Sequence, residues 1–168
     1  MEKVTINDAQ KITSPNPFAL VTTVRPDGGS NVMALSWWTY VSNHPATVAI
    51  CTSDRGYTGG LIRENGEFTL SMPDASVSEA AFLCGTCSGR DRDKAKEFGI
   101  EFEDSETVGA PRVKNSALAL ECKLINTVPL GDHTMYIAEV TAVFADRERR
   151  PVFAAEGYRK LRAFGAIE

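Results

Sequence analysis

Over much of the chain, apolar and polar positions alternate with a period of two. Leu118, Leu120, Cys122 and Leu124 are interleaved with polar positions, and Tyr136, Ala138, Val140, Ala142 and Phe144 repeat the spacing. Such alternation sends one side of an extended strand into a core and leaves the other side free. Between the two runs, Pro129-Leu130-Gly131-Asp132-His133 carries turn residues, so a hairpin is predicted with that stretch as its loop. Residues 18–24, rich in β-branched side chains, run into Arg25-Pro26-Asp27-Gly28-Gly29 and predict an earlier hairpin onto residues 31–35. Residues 46–51 and 68–72, the latter ended by Pro73, read as two further strands.

Helical signals are fewer and shorter. Residues 58–65 stop at Gly66, residues 76–84 open on a Ser76/Glu79 capping box and close at Gly85, and residues 91–98 stop at Gly99. Neither a repeat nor a linker-like stretch interrupts the chain. Strands joined by short turns, without regular strand–helix alternation, predict one domain over residues 1–168. Its class is mainly β: an antiparallel barrel or sandwich with short helical insertions.

Composition narrows the function classes. A chain of 168 residues can bury roughly 68–70% of its unfolded surface, enough to stand without disulfides or metal. Hydrophobic residues at 43% and charged residues at 24% exclude disorder. Eighteen Lys plus Arg against 22 Asp plus Glu leave a net charge of −4 with the signs mixed, which lacks the basic footprint nucleic acid demands. The N-terminus has no basic start and apolar core, and no apolar run approaches the roughly 20 residues of a membrane span. The expectation is a cytoplasmic protein with no membrane partner, and its four cysteines read as thiols.

Four segments could carry chemistry. In residues 51–60 a strand end passes through a hydroxyl- and glycine-rich loop into a helix start, where Ser53, Arg55 and Thr58 could hold a phosphate against free backbone N–H groups. A Thr before a helix can equally be a plain N-cap. Ser88-Gly89-Arg90-Asp91-Arg92-Asp93-Lys94 again enters a helix. With the helix beginning near Asp91, Arg90 and Lys94 would lie about one turn apart and could share an anion; the alternative is a solvated, mutually paired face. Asn31, Ser36 and Thr39 flank Trp37 and Trp38, which on a strand must point to opposite faces, so one can pack the core while the other meets a flat ligand. His133, preceded by Asp132, could bind or protonate a ligand, or be an ordinary turn histidine.

The Cys84-Gly85-Thr86-Cys87 spacing raises redox and zinc readings. Zinc lacks a second ligand pair, so no metal site is expected. A thioredoxin-like role needs the pair to begin a helix after a strand, whereas here it follows one.

Taken in order, Asn31-x-Met33-Ala34-x-Ser36-Trp37, residues 53–58, Cys84-Gly85-x-x-Ser88-Gly89-Arg90-Asp91-x-Asp93-Lys94, Val108-Gly109-Ala110-Pro111 and Gly131-Asp132-His133-Thr134 resemble the flavin reductase-like proteins, in particular the flavoredoxin branch. The resemblance covers about residues 16–146 and implies an FMN-binding split β-barrel, antiparallel and Greek-key-like, usually a homodimer. It implies that Asn31, Ser36, Trp37 and Thr39 border the ring and ribityl chain, while Ser53, Arg55 and Thr58 meet the ribityl-phosphate end. Within the second loop, Ser88, Gly89, Arg90 and Lys94 would add phosphate contacts. His133 would act on the nicotinamide-facing side, and Phe164 would cover the ring. The activity implied is that of an FMN-dependent oxidoreductase fed by NAD(P)H or a reduced electron-carrier protein. The alternative is a flavin carrier that does not oxidise NAD(P)H. No G-x-G-x-x-G follows a strand, so a nicotinamide donor would dock only transiently.

Overall fold

The computed structural model describes residues 1–164. Helix α1 (Ile6–Ile12), capped by the Thr5 hydroxyl on the Asp8 amide, precedes β1 (Asn16–Pro17). The chain continues through β2 (Ala19–Val24), β3 (Ser30–Leu35), β4 (Trp38–Asn43), β5 (Ala46–Ser53), α2 (Tyr57–Asn65) and β6 (Glu67–Pro73). A 3-10 turn (Ala75–Val77) leads into α3 (Ser78–Leu83), then α4 (Lys94–Phe98), β7 (Phe102–Glu103) and β8 (Arg112–Val113). The long strands β9 (Ser116–Leu130) and β10 (His133–Ala145) follow, and β11 (Val152–Ala154) and β12 (Leu161–Ala163) come last.

Seven strands form one antiparallel sheet in the order β3-β2-β6-β9-β10-β5-β4. Alternate residues of all seven meet in one cluster, among them Val21, Leu35, Ile50, Phe68, Leu120 and Tyr136, with Trp38 of β4 packed against it. A sheet whose strands all feed one core has to curl around it, and the result is the expected mainly-β split barrel, open between edge strands β3 and β4. The opposite face of β2 and β3 is covered too. Leu20 and Val32 join a second cluster with Ala81, Cys84, Ala95 and Val152. Burial on both faces is why β2 shows no strict apolar–polar alternation. The small sheet β1-β11-β12 lies over this second cluster through Val152 and Leu161.

Several local expectations are corrected. The late hairpin turns on Gly131 and Asp132 alone, because ladder pairing continues to Leu130 and resumes at His133, with Gly131 at φ +71°. The Ser76/Glu79 capping box does not form. The Asp74 carboxylate, placed at the strand end, accepts the Ser76 amide at 2.8 Å and starts a 3-10 turn instead. The third helix begins at Lys94 and not Asp91, since Asp93 caps it through the Lys96 amide at 3.1 Å. Helix α1 and strand β4 carry too weak a periodicity to be expected; α1 buries no residue and β4 is largely exposed.

One charged side chain sits fully buried on β9. The Glu121 carboxylate accepts the Glu106 amide at 2.9 Å and the Thr107 amide and hydroxyl at 2.6 and 2.7 Å, with Arg112 Nε at 3.8 Å. Burial works to raise its pKa, but the hydrogen bonds from Thr107 and Glu106 and the Arg112 charge prevail and hold it below the ordinary glutamate value. A folded pKa below the unfolded one means that the stabilisation is complete above the unfolded value and is lost as pH falls through the folded one. Glu121→Gln should therefore lower the unfolding free energy by about 1–3 kcal/mol at neutral pH. In urea titrations the difference from the parent should shrink below about pH 4; a pH-independent difference would assign the loss to packing.

Candidate functional site

Strands β5 and β10 build the floor of a cavity on the outer side of the barrel. Their register pairs Ser53 with His133 and Cys51 with Met135. Ile50 and Tyr136 turn into the core, so by alternation Cys51, Ser53 and His133 face outward. The link between β3 and β4 crosses this floor, its Trp37 carbonyl accepting the Cys51 amide at 2.8 Å. Opposite stand Phe82, Gly85 and Thr86 at the end of α3, and Tyr158 from the loop between β11 and β12. The cavity volume is about 420 Å³, in the range of small-molecule sites. Gly85 lets α3 approach this closely, for a Cβ there would stand 3.0 Å from the Ala34 Cβ.

The paired tryptophans divide as strand geometry requires. Trp38 packs against the core, while Trp37 lines the cavity with its ring 4.9 Å from that of His133 and tilted by 34°. The Trp37 indole N–H donates to the Tyr158 hydroxyl at 2.8 Å. His133 Nδ1 lies 2.8 Å from Asp132 Oδ1, and the hydrogen bond with His133, reinforced by its charge, holds the Asp132 carboxyl below the usual range.

Ser53 leads directly to the second half of the site, the start of α2. Gly56 at the N-cap supplies no side-chain cap, and no acidic residue occupies the first turn, so the first amides keep free N–H groups. Beside them Asn31 Nδ2 donates to the hydroxyls of Thr23 at 3.2 Å and Thr58 at 3.0 Å. The loop containing residues 88–94 reaches the same corner. Gly89 packs on Asn31 so closely that a Cβ would collide with Oδ1, and the Arg90 guanidinium lies 5.7 Å from the ring of Tyr57, the first residue of α2. The two loops offered by the sequence as phosphate sites thus converge.

Asn31 is 3% exposed and its Oδ1 has no partner, a cost of about 1–3 kcal/mol for a buried polar group. Both threonine hydroxyls can donate as well as accept. With the amide turned, Oδ1 would accept from both and the NH₂ would face Gly89. Free helix amides, this amide and the nearby Arg90 guanidinium suit an oxyanion, and the adjoining aromatic and apolar cavity suits a flat ring. The donor set therefore fits a phosphate-bearing flavin.

Other expected site residues take different parts. Thr58 is buried and its hydroxyl serves Asn31, which leaves its backbone N–H for a ligand. Lys94 is 4% exposed, and its ammonium donates to the carbonyls of Cys84 at 2.7 Å and Cys87 at 3.2 Å instead of sharing a helix face with Arg90. Burial lowers its pKa. Ser88 accepts the Arg90 amide at 3.1 Å and shapes its loop, while Arg55 is exposed beside Ser53. Ser36 lines the cavity, but Thr39 stands exposed on β4, bonded to the Tyr40 carbonyl and outside the cavity wall. Phe164, expected to cover the ring, packs edge-on against Phe153 at 5.7 Å, while Tyr158 lines the cavity. Cys84 is buried with its thiol pushed up to about 11 by desolvation, against the pull of Lys94, which removes the basis for a thioredoxin-like nucleophile. Cys51 and Phe82 also line the cavity. Counting two residues back from Ser53 along β5 would have exposed Cys51; nothing local signals Phe82.

The model of the Flavin reductase like domain family matches residues 12–162. The chain belongs to this family. Flavoredoxin of Desulfovibrio vulgaris (Miyazaki F) is similar over 100% of this flavin reductase-like chain and 96% of its own, at 29% identity and a TM-score of 0.86. The NADH:FAD oxidoreductase SgcE6 of Streptomyces globisporus C-1027 covers 99% of both chains at 22% identity and a TM-score of 0.85, a likeness of fold alone. An uncharacterized protein of Aeropyrum pernix is 28% identical over 98% of this chain and 63% of its own length. Another, from Pyrococcus abyssi, is 32% identical over 67% of this chain and 64% of its own. The chain spans a little under two thirds of the length of these curated relatives. Among the described residues no helix is long and apolar enough to cross a membrane, and no cluster of three or more His, Cys, Asp or Glu could hold a metal ion.

Lys94 pins the loop that forms one cavity wall. Lys94→Met should lower stability by about 2 kcal/mol, the loss of charged hydrogen bonds, and should speed labelling of Cys87 by a thiol reagent several-fold. Unchanged labelling would mean that the loop is held by other contacts.

Proposed function

We propose that this flavin reductase-like chain binds FMN non-covalently, with the phosphate at the start of α2 and the ring in the adjoining cavity. In this reading it is an FMN-dependent oxidoreductase that takes electrons from NAD(P)H or a reduced carrier protein and passes them to an acceptor. The observation that carries the reading is the convergence of residues 53–58 and 88–94 at one uncapped helix start beside a ring-sized aromatic cavity. One anion corner next to one such cavity favours FMN over a dinucleotide flavin.

When bound, the flavin supplies the redox chemistry, accepting electrons from the donor and releasing them to the acceptor. The chain's part is positioning: Trp37 and Phe82 exclude water, and the Ser36 and Ser53 hydroxyls offer polar contacts. Asp132 engages His133 Nδ1 and leaves Nε2 for a ligand. Close stacking of donor on flavin needs no acid or base.

A second reading, a flavin carrier without NAD(P)H oxidation, is favoured by the likeness to flavoredoxin. Homodimerisation is supported by edge strand β4, where Tyr40 and Val41 are 60% and 54% exposed and invite cover by a second copy.

The purified protein should be yellow and release FMN. Asn31→Ala and Arg90→Ala should each weaken FMN retention about tenfold, as expected for contacts to a charged group; parent-like retention in both would overturn the assignment. Anaerobic mixing with NADH or NADPH should bleach the visible flavin band, and persistence of the band would select the carrier. His133→Ala should slow bleaching more than it weakens FMN binding; equal losses, or none, would remove it from the reaction. Sedimentation should give about twice the chain mass, and a monomer would refute the dimer.

A further inference from the structure

Trp37 has one hydrogen-bond donor and no acceptor, and that donor is spent across the cavity mouth on Tyr158 Oη, 121 residues away at 2.8 Å. Both rings are only partly covered, Trp37 and Tyr158 being 38% exposed each. The two residues belong to different sheets. Trp37 lies on the link between β3 and β4 of the barrel, and Tyr158 on the loop joining β11 to β12 of the small sheet.

That loop is held firmly on its own side. The Gly157 amide donates to Ser14 Oγ at 2.7 Å, the Ala155 amide to the Lys160 carbonyl at 2.7 Å, and Glu156 pairs with Lys160 at 2.8 Å and Arg162 at 3.3 Å. Tyr158 is therefore presented from an anchored loop. On the other side, the Trp37 ring has the tilted His133 ring as its neighbour in the mouth at 4.9 Å and keeps 38% of its surface exposed.

From this we infer that Tyr158 is a positioning residue acting through Trp37: it latches the indole across the mouth and so limits the size of a second planar ligand that reaches the cavity. The inference rests on the flavin reading for what lies inside, but not for the latch itself. A single exposed hydrogen bond shifts an equilibrium by about three- to tenfold, enough to bias the mouth toward the closed arrangement while letting it open on each encounter. With the latch intact, single-ring planar compounds are admitted in preference to fused-ring ones. Loss of the latch relaxes that preference.

The chain has two tryptophans, so Trp38→Phe leaves Trp37 as the sole indole emitter. In that background, without flavin, Tyr158→Phe should raise the acrylamide quenching of Trp37 severalfold. In the FMN-loaded protein, benzoate and 2-naphthoate serve as inert single-ring and fused-ring probes, followed by perturbation of the flavin spectrum. Tyr158→Phe should improve 2-naphthoate binding relative to benzoate by about three- to tenfold. Trp37→Phe should shift the ratio similarly, and the double variant no further than either single one. Unchanged quenching together with an unchanged ratio would overturn the latch, as would additive effects in the double variant. Should the chain bind no flavin, the quenching arm still decides the latch, and the failure belongs to the flavin reading alone.

Discussion

The buried amide of Asn31 joins three stretches of chain that are remote in sequence. It stands on β3, holds the start of α2 through the Thr58 hydroxyl, and receives the loop of residues 88–94 at Gly89, where a side chain could not fit. A buried amide is worth having only if its polar atoms find partners, so this contact dictates close approach of α2 and glycine at the loop. The free helix amides and Arg90 are brought to one corner by that requirement. Gly89 packs against the amide atom that the two threonines leave unpaired.

The barrel supplies the other half of the geometry by using both faces of β5 and β10. Ile50 and Tyr136 fill the core, while Cys51, Ser53 and His133, one or three residues away on the same strands, form the cavity floor. Core packing thereby holds the site rigid: moving His133 would require moving Tyr136. Gly59 tightens the arrangement further, since a Cβ at that position would meet the Tyr136 hydroxyl at 2.5 Å. The α2 helix and its N–H groups thus lie directly against the strands that carry the floor.

Charge is handled by two contrasting devices in the buried regions. Glu121 keeps its charge because donors from Glu106 and Thr107 surround it, so a loop is tied to the barrel by a carboxylate. Lys94 does the reverse job with a cation, gathering the carbonyls that follow α3. From sequence Lys94 reads as a phosphate ligand, and nothing sets Glu121 apart within its strand. In each case the neighbours that define the role lie 7 to 15 residues away along the chain and leave no mark in the immediate sequence.

Alternation along residues 118–124 and 136–144, the turn glycines at Gly28 and Gly131, and the opposite facing of Trp37 and Trp38 are consequences of backbone geometry, and these were legible from the chain alone. So was the order of the loops that carry Asn31, Ser53, Arg90 and His133, together with the family they resemble. What the linear chain did not disclose was which side chain would face which partner. Helix starts moved to Tyr57, Ser78 and Lys94 because capping depends on the local competition among neighbouring side chains. Thr39, Lys94 and Phe164 went to other partners, and Tyr158 took the mouth, because sheet packing determines which loops meet. Period and turn chemistry are properties of adjacent residues, whereas a cavity is a property of contacts between distant ones, and only folding decides those.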